Sequence, residues 1–152
     1  MSAMSPLRSI VAILGGAVLL GFMDRTLERT LVAAMAEAPP ADEAAYLAIR
    51  DQPLVLGVTV ATHGLAAILA GYIGAKIAGA HETRHALATA VLLIAGYAVA
   101  FTSDNVMLPP VWVRVALLVI TAPALLAGAS IRAQARALPS EQAGTARPEE
   151  RS

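Results

Sequence analysis

Four apolar stretches, at 7–23, 54–75, 85–102 and about 111–131, occupy most of the 152-residue chain. A hydrocarbon core of about 30 Å is crossed by roughly 20 helical residues. Each stretch therefore reaches across, the first and third with slight bilayer thinning or snorkelling of their flanks. Lipid-facing backbone must be hydrogen-bonded internally, and no alternating ten-residue barrel pattern is present, so helices are the only solution. The expected fold is all-α: a polytopic four-transmembrane-helix bundle at 1–136, followed by a disordered tail at 137–152. Composition agrees, since 57% of residues are apolar and only 14% charged, against about 25% charged in soluble domains. That excludes a disordered chain, a basic nucleic-acid binder and most soluble enzymes. With no cysteine there is no disulfide, thiolate metal site, cysteine nucleophile or lipobox.

The first span also has the look of a secretory leader, with Arg8 before an apolar run and a small-x-small tripeptide at Ala34-Met35-Ala36. Cleavage there would leave a long charged segment beyond the apolar core, so it reads as a retained helix. This helix is expected to run past the membrane until Pro39-Pro40 stops it, with Asp42 capping another one or two turns. The formal net charge of zero divides by topology. Seven basic and four acidic residues fall to the side of the two termini, and four basic and seven acidic to the other. The positive-inside rule then places both termini in the cytoplasm. Trp112 and Arg114, after Pro109-Pro110, read as an anchor at the opposite interface.

Small residues recur every seven positions in the second span, at Gly57, Gly64, Gly71 and Ala78. Such a stripe lets a neighbouring backbone approach closely, within the bundle or across to a homo-oligomer or other membrane protein. Pro123 in the fourth span frees a carbonyl near Val119 that Thr121 or a neighbouring group is placed to satisfy.

Three groups of residues bear on chemistry. His63 is the one titratable residue near the middle of a span, with Thr59 and Thr62 beside it; ionisable groups at that depth are costly and often functional. Asp24 and Glu28, spaced i,i+4 at the outer end of the first span, form an acidic ridge suited to a cation or to Arg114, beside a basic ridge of Arg25 and Arg29. His81-Glu82-Thr83-Arg84-His85 satisfies H-E-x-x-H, in which two histidines on one helical face hold zinc and the glutamate polarises its water. Against zinc stand Arg84 beside the would-be cation, the lack of an evident third ligand, and a position across a loop-to-helix boundary. His81 and His85 are thus weak metal candidates, and neither a catalytic residue nor a cofactor is expected. No nucleophile elbow, phosphate loop or nucleotide fingerprint is present.

The layout resembles a family of small four-helix bacterial membrane proteins to which no activity has been assigned. The likeness is carried by the acidic end of the first helix, Ala38-Pro39-Pro40-Ala41-Asp42 and Gly71-Tyr72-Ile73-Gly74-Ala75-Lys76-Ile77-Ala78. His85-Ala86, Pro110-Val111-Trp112 and Pro123 with Gly128-Ala129 continue it. It covers about residues 7–132, with Ala70 where the family usually has the first glycine of a pair. It implies a bacterial inner-membrane protein with the lipid bilayer as its surroundings. The leading expectation is a non-enzymatic accessory or interaction subunit. The alternative is a small-solute or ion/proton transporter using His63 and the polar outer end of the first helix, and a zinc metalloprotease comes third.

Overall fold

The computed structural model describes residues 6–102 and 108–145. They form five helices: α1 (Pro6–Met35), α2 (Glu43–Arg50), α3 (Pro53–Ala78), α4 (Glu82–Phe101) and α5 (Val111–Thr145). All but α2 are long and apolar enough to cross a membrane, so the protein is a polytopic four-helix membrane bundle. At 1.5 Å per residue the 30 residues of α1 extend about 45 Å, well beyond a hydrocarbon core. Asp42 caps α2 by accepting from the Ala45 amide at 2.8 Å, and Pro53 occupies the first turn of α3, where its missing N–H costs nothing.

Two expectations are corrected. The last helix does not give way to disorder at 137 but continues to Thr145. Ala137, Leu138, Glu141, Gln142 and Ala143 are good helix formers, and a helix already propagating avoids the cost of nucleation, which offsets Pro139 and Gly144. Of the seven-residue stripe, Gly64, Gly71 and Ala78 are buried, whereas Gly57 is exposed and an added Cβ there would meet nothing within 4 Å. A heptad repeat drifts about 20° per seven residues around a straight helix, so three repeats carry Gly57 roughly 60° off the seam that Ala78 occupies. Asp104 and the rest of 103–107 lie outside the described residues.

Helix α3 packs against α1, α4 and α5, most extensively against α5. Without a hydrophobic drive between helices in lipid, close van der Waals approach must hold them, and glycine permits it. A Cβ on Gly71 would collide with the Leu125 carbonyl, and one on Gly128 with the Ile68 carbonyl. Each helix thus seats its backbone on the other's glycine. Gly74 lies against the Ala12 carbonyl of α1, 3.3 Å from where its Cβ would be. Around these contacts Leu20, Ala66, Ala67, Ala70, Ala90, Ala124 and Leu125 form a core of small side chains. Leu7, Val11, Leu14, Val18 and Phe22 project outward from α1 as an exposed apolar stripe suited to lipid.

The end of the bundle that carries the α3–α4 turn is laced shut. Gly79 ends α3 in the left-handed region (φ 71°). Arg8 Nε donates to the Ile77 carbonyl and Arg136 Nη1 to the Gly79 carbonyl, both at 2.6 Å. These two arginines complement the negative end of the helix.

Candidate functional site: a polar cavity at the opposite end

Asp24 stands sixteen residues after Arg8, about 24 Å along α1. With Arg8 at one interface, Asp24 therefore lies just within the far edge of the hydrocarbon core. Helical spacing turns Gly21, Asp24, Arg25, Glu28 and Arg29 to one face, and that face lines a cavity of about 710 Å³. Thr59 and His63 of α3, Tyr97, Ala100 and Phe101 of α4, Leu117 of α5, and Glu43, Tyr46 and Arg50 of α2 complete its walls, with Leu108 and Pro109.

His63, 2% exposed, joins three helices at the floor. Its Nδ1 lies 2.9 and 3.1 Å from the two carboxylate oxygens of Asp24, and its Nε2 lies 2.9 Å from Thr121 Oγ. Thr121 Oγ also lies 2.6 Å from the Leu117 carbonyl, which only accepts. The hydroxyl has a single hydrogen, so the set has two self-consistent arrangements. In one, Thr121 donates to Leu117, Nε2–H donates to Thr121, and a second proton sits between Nδ1 and Asp24. In the other, Thr121 turns its hydrogen onto Nε2, and a neutral imidazole donates Nδ1–H to the carboxylate. One proton gained or lost at the Asp24–His63 pair is thus matched by rotation of one hydroxyl.

The rest of the cavity is paired in part. The Tyr97 hydroxyl donates to Asp24 at 3.4 Å, its ring meets His63 edge-on and stacks on Phe101. The Tyr46 hydroxyl donates to Glu28 at 2.8 Å. Burial, then the hydrogen bond to Glu28 and its charge, push the Tyr46 phenol up to about 12. Arg50 is ion-paired with Asp51 at 2.8 Å.

The sequence residues His63, Thr59, Asp24 and Glu28 are brought together here, but two others are not. Arg114 does not pair with the acidic ridge; its guanidinium stands over the Phe101 ring, 5.6 Å from the centroid, and its Nη1 approaches the Phe101 carbonyl. The aromatic ring separates it from the cavity, and cation–π attraction replaces the expected ion pair. Thr62 turns away and returns its hydroxyl to the Val58 carbonyl. Thr121, Tyr97 and Tyr46 are the partners that sequence reading missed. Of the two groups expected at the carbonyl near Val119, Thr121 or a neighbour, Thr121 goes elsewhere: its hydroxyl bonds the Leu117 carbonyl.

The H-E-x-x-H segment sits at the laced end, with His81 as the N-cap and Glu82–His85 as the first turn of α4. His81 adopts a left-handed conformation (φ 52°) and its carbonyl accepts from His85 Nδ1 at 3.0 Å. Glu82 Oε1 lies 2.9 Å from Arg136 Nη1. Glu82 thereby joins α4 to α5, while His85 closes the first turn of its own helix, and no group of three histidines, aspartates or glutamates suited to a metal gathers among the described residues. No protein-family model, curated protein or solved structure matches the chain. What the fold and site define is a class: a four-helix membrane protein with an ionisable pair at the floor of a polar cavity near one end.

Proposed function

We propose that the protein is a carrier of a small solute in the bacterial inner membrane, its transport linked to a proton held at Asp24–His63. The observation that carries this reading is the placement of that pair. It lies within the depth of the span, yet it lines a cavity large enough for a small molecule, and one proton more or less is accommodated by the Thr121 hydroxyl. An ionisable pair sealed in a dry bundle can serve packing alone, whereas one that faces a cavity stands within reach of water, protons and solutes. The small-residue seam, on which an accessory role rested, is occupied inside the bundle by α5. By the charge rule both termini face the cytoplasm and the cavity opens outward.

The test is proton movement in proteoliposomes containing a pH-sensitive dye, challenged with anionic, cationic and neutral solutes. Wild-type vesicles are expected to acidify or alkalinise with one solute class only, and Asp24→Asn and His63→Gln to abolish the response while remaining monodisperse in detergent. Proton-linked flux at the wild-type rate in His63→Gln, or no proton movement with any class, overturns the proposal.

A further inference from the structure

The charged and polar groups of the cavity divide into those already engaged and those still open. Among the engaged, Asp24 holds His63 and Tyr97, Glu28 holds Tyr46, and Arg50 holds Asp51. Arg25 and Arg29 have no hydrogen bond or ion pair among the described residues, although they stand one turn apart on the face that lines the cavity. Thr59 Oγ is buried without a hydrogen-bond partner. The open groups are therefore two guanidinium cations and a hydroxyl, against one carboxylate, Glu43. Beyond them the wall turns apolar, with Ala100, Phe101, Leu108, Pro109 and Leu117.

We infer that the solute is an amphiphilic monoanion, a single carboxylate or phosphate head on an apolar body, bound between Arg25 and Arg29 with its body against the Phe101–Leu117 wall. This deepens the carrier reading and rests on it for the site, not for flux. Guanidinium groups bind such heads bidentately, and Thr59 supplies a further donor in the same cavity. A buried hydroxyl without a partner is costly, and a bound head group relieves that cost. Proton linkage has the matching sign. With its extra proton the Asp24–His63 pair is neutral overall, and without it the pair carries one negative charge that repels the anion. Among the described residues, the groups lining the cavity around the pair are Arg25, Glu28 and Arg29 on α1, Glu43, Arg50 and the phenol of Tyr46 on α2, and the uncharged phenol of Tyr97 on α4. α5 adds the neutral Thr121 beside His63, and its Arg114 lies behind Phe101. None of these reverses the sign of that one-charge difference. Binding of the anion and of the proton are consequently cooperative, and by linkage each strengthens the other equally. Anion and proton together form a neutral load, which lowers the charge penalty of crossing the bilayer.

The head could belong to a free molecule or to an anionic lipid of the same membrane. The experiment uses the full chain in nanodiscs of zwitterionic lipid, with radiolabelled benzoate as probe and benzylammonium and benzyl alcohol as matched controls. Empty discs are subtracted. Benzoate is expected to bind at least about tenfold more tightly than either control, with a Kd that weakens as pH rises, by at most about tenfold per unit, the limit for one linked proton. Arg25→Gln with Arg29→Gln removes binding at any pH. His63→Gln binds with no pH dependence, and Arg84→Gln, at the laced end, matches wild type. If anionic lipid added to the disc displaces benzoate, and does so only while Arg25 and Arg29 are present, the same head chemistry holds but the source is the bilayer. Equal binding of the three probes, or undiminished binding by the double arginine variant, overturns the inference. Binding without flux leaves it standing and overturns carriage; proton-linked flux of benzylammonium does the reverse.

Discussion

His63 fixes how the far end of the bundle is joined, because one imidazole contacts α1 through Asp24 and α5 through Thr121. Thr121→Val keeps the shape but leaves Nε2 without a partner, so the unmade bond should destabilise the protein by about 1–3 kcal/mol, read as an earlier unfolding midpoint in detergent. Tyr46 offers an independent check outside the spans. Its phenol is raised to about 12 from an ordinary value near 10, so the protonated form is the one the fold favours. The resulting stabilisation is full below pH 10 and disappears as pH climbs from 10 to 12. In tyrosinate absorbance, the component removed by Tyr46→Phe should titrate near pH 12, and Glu28→Gln should bring it down towards 10. A midpoint already near 10 in the wild type contradicts the burial and the Glu28 contact. At this scale the sequence was informative about types and silent about partners. His63 and Asp24 stand out because charge at membrane depth is costly, whereas Thr121 and Tyr97 lie 58 and 73 positions from their partners and carry no local pattern announcing the meeting.

Among elements, the α3–α5 contact is the most exacting. Gly128→Ala drives a methyl into the Ile68 carbonyl, and backbone cannot yield as a flexible side chain does. A loss of at least about 1–3 kcal/mol is expected in a detergent unfolding titration. Gly57→Ala, into open space, should be neutral or gain up to about 1 kcal/mol through helix propensity. Equal effects at the two positions would mean that the seam does not run where the structure puts it. Spans were legible because hydropathy and length act within one element: the expected 54–75 and 85–102 compare with α3 at Pro53–Ala78 and α4 at Glu82–Phe101. The seam was legible only in part. A seven-residue repeat names a stripe, but the 3.6-residue turn decides how much of it faces one neighbour, and Gly57 falls outside.

For the whole molecule, the two ends differ in build. One is stitched by Arg8, Arg136 and Glu82 around the end of α3; the other encloses a cavity. Because the chain has no cysteine, single cysteines can be placed without background. Glu43→Cys is expected to react with a membrane-impermeant maleimide added to intact cells and Arg84→Cys only after lysis. The reverse pattern inverts the topology and turns the cavity towards the cytoplasm.

The reciprocal seating of Gly71 and Gly128 also bears on the order in which the protein is made. Helix α3 emerges from the ribosome well before α5, and at about 5–20 residues per second its groove waits on the order of several seconds for the helix that fills it. During that interval a strip of bare backbone faces lipid, open to the same strip on a neighbouring nascent chain. A chain halted ahead of Val111 should accordingly pair with itself through Gly71, and cysteine crosslinks at Ile68 should capture that mispaired form in the truncated chain and vanish once α5 has been synthesised.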